Sequence, residues 1–241
     1  MNNKFMAAFL AVGLITDLRG QDFLSQPVDE TAAAPQSPLL QKADAISYTA
    51  TFAHKQSSSH ATTPAEQEAQ DNANPQIKAV IVDKVGDVRH DIQQWSSASP
   101  TEVWYADTVA FEEGTDALGK PNGIHGRIAL ADSKTLFPEL AWVDKKTFVG
   151  TIQMGPKKTI DVYRLSLGEG GAIGFPPFSF NHEDVFAYID DATRLPLALK
   201  TSRYVVTYSY RTAPAALSLP AQYLTVSKEF AEWRARAPKA P

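Results

Sequence analysis

The chain has 241 residues, a formal charge of −4, a 44% hydrophobic share and no cysteine. The length and apolar share suit one sizeable core. The missing cysteines exclude disulfide frameworks, thiolate metal sites, thiol catalysis and a lipidated-cysteine anchor, and the charge leaves no basic footprint for nucleic acid. At the N-terminus, Lys4 precedes an apolar run from Phe5 to Ile15. That run is short for a membrane span and suits the core of an export signal. Residues 1–20 are expected to be a signal peptide or an N-terminal anchor, with a buried helix as the alternative. Residues 21–36, polar and Ala/Pro-rich, are expected to be a disordered leader. The protein is expected in the periplasm or outside the cell, touching membrane only through the first segment.

A single β-rich domain is expected over 37–241. Ser37-Pro38 followed by Leu39, Ala43 and Ile46 predicts a short helix over 38–46, and 47–54 reads as a strand. Residues 55–76 contain no Val, Ile, Leu, Met, Phe, Trp or Tyr. Such a stretch buries too little to offset its ordering entropy, so it reads as a mobile insertion.

Period-2 runs dominate from Ile77 onward. Ile77–Asp83 and Asp87–Trp95 flank Lys84-Val85-Gly86, a hairpin signal with Gly at a positive-φ position. In the second arm Val88, His90 and Ile92 form the apolar face, opposite Arg89, Asp91 and Gln93. Alternation recurs at Val103–Phe111, Ile124–Leu130, Phe148–Met154, Thr159–Leu167, Val185–Asp190, Leu195–Lys200 and Tyr204–Tyr210. Ser133–Trp142 predicts a short helix. Val226, Phe230 and Trp233 predict a terminal one. About ten strands without βαβ alternation indicate a mostly β (α+β) fold: a curved antiparallel sheet packed on one or two helices.

Motifs for chemistry are sparse. None of His54, His60, His90, His125 and His182 has zinc-site spacing, and no metal or cofactor is expected. His182-Glu183-Asp184 joins an imidazole to carboxylates, but neighbours on an extended segment point to opposite sides. Gly168–Gly174 is Gly-rich, yet Phe175-Pro176-Pro177-Phe178 blocks the helix start that a phosphate loop needs, so 168–178 reads as a wide irregular loop. The stronger signal is aromatic. Trp104, Tyr105, Phe111, Trp142, Phe148, Tyr163, Phe186, Tyr188, Tyr204 and Tyr208 fall on or beside strands. They read as sheet core or as the wall of an apolar ligand cavity.

Phe186-Ala187-Tyr188-Ile189-Asp190-Asp191-Ala192-Thr193-Arg194-Leu195-Pro196-Leu197 resembles a recurrent strand–turn–strand element of the lipoprotein-carrier (LolA-like) superfamily. Tyr208-Ser209-Tyr210 and Leu219-Pro220 are similar in placement to its closing strand. The resemblance implies an unclosed β half-barrel around a helix, with a cavity for acyl chains or apolar segments. The 55–76 insertion and the long 168–178 loop depart from that pattern. The leading expectation is a non-enzymatic binding protein for an apolar small molecule, a lipid or an acylated protein. The rivals are an envelope structural or interaction protein with a filled core, and a hydrolase around His182 and Asp184.

Overall fold

The computed structural model describes residues 18–55, 76–106, 109–115, 121–128, 135–168, 172–175, 178–181 and 183–236. Residues 1–17 of the expected export segment and 56–75 of the insertion lie outside these residues, as does His182.

Eleven strands form one unclosed antiparallel sheet. Its first half is a meander: β1 (Ala45–His54), β2 (Ile77–Val85), β3 (Val88–Trp95), β4 (Thr101–Ala106), β5 (Val109–Thr115) and β6 (Pro121–Ile128). Its second half contains β7 (Phe148–Gln153), β8 (Thr159–Ser166), β11 (Asp184–Asp190), β12 (Pro196–Lys200) and β13 (Tyr204–Arg211). The halves join where β1 pairs with β13, so the order runs β6-β5-β4-β3-β2-β1-β13-β12-β11-β8-β7. The run Val103–Phe111 divides into β4 and β5, which pair with each other.

Local turn chemistry explains the meander. Val85 pairs with Val88 across Gly86-Asp87, and Gly86 has φ +58°. A positive φ at the first central residue lets a two-residue turn follow the strands' right-handed twist. The Asp190–Arg194 turn is stabilised by its own side chains. Asp190 Oδ1 accepts from the Thr193 amide at 2.8 Å and hydroxyl at 2.9 Å. Arg194, at φ +60°, reaches Asp161 at 2.5 Å and Asp191 at 2.8 Å.

The sheet's two faces carry different cores. On the inner face Ile46, Tyr48, Ala50 and Phe52 alternate along β1, joined by Val80, Val82, Tyr163, Ala187, Leu199 and Val206. On the outer face the C-terminal helix α1 (Ala221–Arg236) covers one end through Tyr223, Val226 and Phe230, which pack on Val109 and Phe111. Trp233 points away and is 58% exposed.

Four expectations change. Residues 38–44 are irregular rather than helical, and β1 begins at Ala45. Nine residues are too few for a stable helix without packing. Here Leu39, Leu40 and Ala43 pack on the core without helical turns, while Gln41 N–H donates to Arg194 O at 2.9 Å. Of the helix expected over 133–142, the described part from residue 135 onward holds a single 3₁₀ turn, Pro138–Leu140, because Pro138 cannot donate within a longer helix. The expected irregular loop 168–178 instead contributes β9 (Ala172–Phe175), which pairs with β10 (Phe178–Asn181) in a separate ladder. Phe178 is fully buried there, 5.3 Å ring to ring from Phe52, and that burial gives the segment its order.

The fourth concerns the leader. Residues Leu18–Ser25 form a 3₁₀ helix whose Phe23 enters an outer cluster with Ile152, Ile160, Val162, Tyr188 and Ala198. One aromatic anchor, 5% exposed, gives this polar stretch the apolar burial that its composition concealed.

Candidate functional site

The irregular 37–44 segment and the segment around the 3₁₀ turn face each other at one end of the inner face. Between them lies an open groove of about 720 Å³. Its apolar lining comes from Pro38, Leu39, Leu40, Leu136, Phe137 and Val143. That volume lies within the usual range for small-molecule sites.

Each wall is held by polar contacts to the sheet. The 37–44 wall is fastened at Gln41 to the Asp190–Arg194 turn, and the Gly86 amide donates to Asp44 O at 2.7 Å. The other wall rests on a buried polar cluster. Arg89 is fully buried and grips Asp91 with two hydrogen bonds, at 2.7 and 3.1 Å. Its Nη1 donates to Leu136 O at 3.3 Å, and its Nη2 to the Tyr48 hydroxyl at 3.3 Å. Glu139 Oε1 accepts from Tyr208 at 3.0 Å and from Tyr48 at 3.4 Å. The Trp142 indole donates to Glu139 O at 3.0 Å.

Electrostatics follow burial. Burial pulls the Arg89 guanidinium down, but the charge and hydrogen bonds of Asp91 together with Tyr48 and Glu139 outweigh it and hold the Arg89 pKa well above the ordinary value. Burial pushes the Glu139 carboxyl up, and Arg89 offsets this only in part. Glu139 Oε2 and the Tyr163 hydroxyl are buried with no hydrogen-bond partner among the described residues. Burial raises the pKa of Tyr48 and Tyr208 well above the ordinary value.

This cluster corrects the reading of β3. Arg89, Asp91 and Gln93 point into the core, while Val88, His90 and Ile92 lie on the partly exposed face. His90 stacks on Trp104 at 4.0 Å and meets Glu102 at 3.1 Å. An amphipathic strand can present its polar side inward when its charges are paired and its remaining donors satisfied: here Arg89 and Asp91 neutralise each other, and the distant Tyr48 hydroxyl and Leu136 carbonyl accept from Arg89.

The ten aromatic candidates do not converge. Tyr105, Tyr163, Tyr204 and Tyr208 are in the inner core, with Trp142 and Phe148 packed against it. Trp104 and Phe111 lie under α1, on the other face. Phe186 and Tyr188 belong to the outer cluster around Phe23. None of the ten lines the groove. Sequence reasoning missed Leu39, Leu40 and Val143 as a wall because they sit in irregular segments, where periodicity carries no signal.

The hydrolase candidate gains little. Asp184 pairs with Arg164 at 2.5 Å, and hydrogen bonds from Ser166 and Arg164 hold its carboxyl below the ordinary value. Glu183 is held by Arg203 at 2.6 Å and by the Ser202 hydroxyl at 2.6 Å. Among the described residues no group of three or more His, Asp or Glu side chains could hold a metal, and no helix is long and apolar enough to cross a membrane. No protein-family model matches the chain, and the search of curated proteins finds no similar sequence.

Proposed function

We propose that the protein is an exported, non-enzymatic binding protein that holds an apolar ligand, a lipid or an acylated partner, in the groove between residues 37–44 and 135–143. The observation that carries this reading is the groove itself: about 720 Å³, with aliphatic side chains on both walls. Apolar contact at about 25 cal/mol per Å² holds an acyl chain without a charged anchor. The resemblance to the lipoprotein-carrier superfamily supports the same ligand class, and the Asp190–Arg194 turn that carries it anchors one wall. Export rests on the Phe5–Ile15 run and on a cysteine-free composition that needs no oxidation to fold.

The test is lipid extraction and mass spectrometry of purified protein, together with titration of a fluorescent fatty acid. Saturable binding that Leu40→Asp weakens tenfold or more supports the proposal. Absence of both bound lipid and saturable binding defeats it. One observation favours a second reading, an interaction protein with a filled core. Phe137, Leu140 and Phe178 occupy the inner face and are no more than 1% exposed. That reading predicts no lipid and no fatty-acid binding.

A further inference from the structure

Strand β7 is one terminal strand of the sheet, so among the described residues its outward amide and carbonyl groups face no neighbouring strand of the ladder. Part of the N-terminal segment supplies a substitute. The Asp29 amide donates to Thr151 O at 2.7 Å, and the Thr151 amide returns a bond to Asp29 O at 3.1 Å. Six residues earlier Phe23 fills the outer cluster, its ring 5.4 Å from that of Tyr188. Lys200 Nζ donates to Leu24 O at 3.0 Å.

The strand is shaped for this visitor. Gly150 has φ +146°, and a Cβ there would lie 2.3 Å from Asp29 O and 2.7 Å from Val28 Cγ1. Only glycine permits that approach. The β7–β8 register shifts between Phe148 and Gly150, turning the backbone at that point. Aromatic pocket, paired edge and glycine gap together form a receptor for one segment, a 3₁₀ turn with an aromatic anchor followed by a β-bridge at Asp29.

We infer that this receptor also accepts residues 18–29 of a second copy of the chain, giving a reciprocal strand-exchanged dimer. The receptor's chemistry matches the chain's own sequence, so the partner whose fit is already displayed is another copy. Linker length permits the exchange. Asp29 is followed by irregular chain as far as Gln41, the next backbone anchor. Twelve steps of extended chain reach about 40 Å, the scale of a domain diameter. An exchanged segment makes the same contacts in trans as in cis, so concentration decides between the two forms.

The absence of cysteine makes the test direct, because introduced thiols are the only labelling sites. Full-length Ser25→Cys carries a donor dye and full-length Gln153→Cys an acceptor, both at exposed positions. The two are mixed, incubated from micromolar to millimolar, and read by energy transfer and by light scattering. The expected result is a species of twice the monomer mass showing transfer between chains, its share rising with concentration. Phe23→Ala in both chains should reduce the transfer at least tenfold. A chain that stays monomeric throughout overturns the inference, as does a dimer without transfer. The wild-type measurement stands even if the Phe23 variant misfolds.

Discussion

Glu139→Gln is the sharpest probe of the polar cluster that holds the groove wall. The side chain is 1% exposed and accepts from Tyr208 and Tyr48 through one oxygen. Burial raises its folded-state pKa above the ordinary 4.5. The folded protein therefore holds this proton more tightly than the unfolded chain does. Below pH 4.5 both states are protonated and the group adds no pH dependence. As pH rises past the unfolded value, the unfolded chain ionises first, and stability falls by up to about 1.4 kcal/mol per pH unit for this one proton. The loss stops growing above the folded-state pKa. Gln keeps an acceptor for Tyr208 and carries no proton to lose, so its stability lacks this slope. Asp91 and Asp161 also have raised carboxyls, and their contributions remain in both proteins. The difference between the two curves therefore isolates Glu139. Urea unfolding followed by circular dichroism from pH 3.5 to 8 measures it. The variant should gain on the wild type as pH rises, whatever their constant offset at low pH. Parallel curves would refute the reasoning and mean that Glu139 is ionised in the fold, balanced by Arg89.

Two further outcomes test the packing. Arg89→Met leaves the buried Asp91 without its counter-charge and should cost about 3–5 kcal/mol in the same melts, most of it recovered by adding Asp91→Leu. Phe178→Ala removes a fully buried ring from contact with Phe52 and should cost about 3–5 kcal/mol. A loss under about 1 kcal/mol would mean that the β9–β10 ladder lies outside the cooperative core.

Much of the architecture was legible in local patterns. Alternation at Phe148–Met154, Thr159–Leu167 and Tyr204–Tyr210 located β7, β8 and β13 to within a few residues. Gly86 marked the β2–β3 hairpin, and Val226 with Phe230 marked the buried side of α1. These features are encoded in neighbouring residues, where turn geometry and periodicity act. The groove was not legible, since its walls are irregular chain brought together by contacts such as Gln41 to Arg194.

Composition and alternation alone specify a cysteine-free, mostly antiparallel β protein with a short list of turns. Which side of each strand faces inward was set by long-range packing. Period-2 alternation separates two faces but does not say which is buried. In β3 the charged face went inside because Arg89 and Asp91 pair with each other and the Tyr48 hydroxyl and Leu136 carbonyl, both far along the chain, take the remaining Arg89 donors. The same long-range packing divided ten aromatic side chains between two faces of one sheet, and it drew a polar leader onto the outer face through Phe23, with Leu24 and Val28 packed beside it.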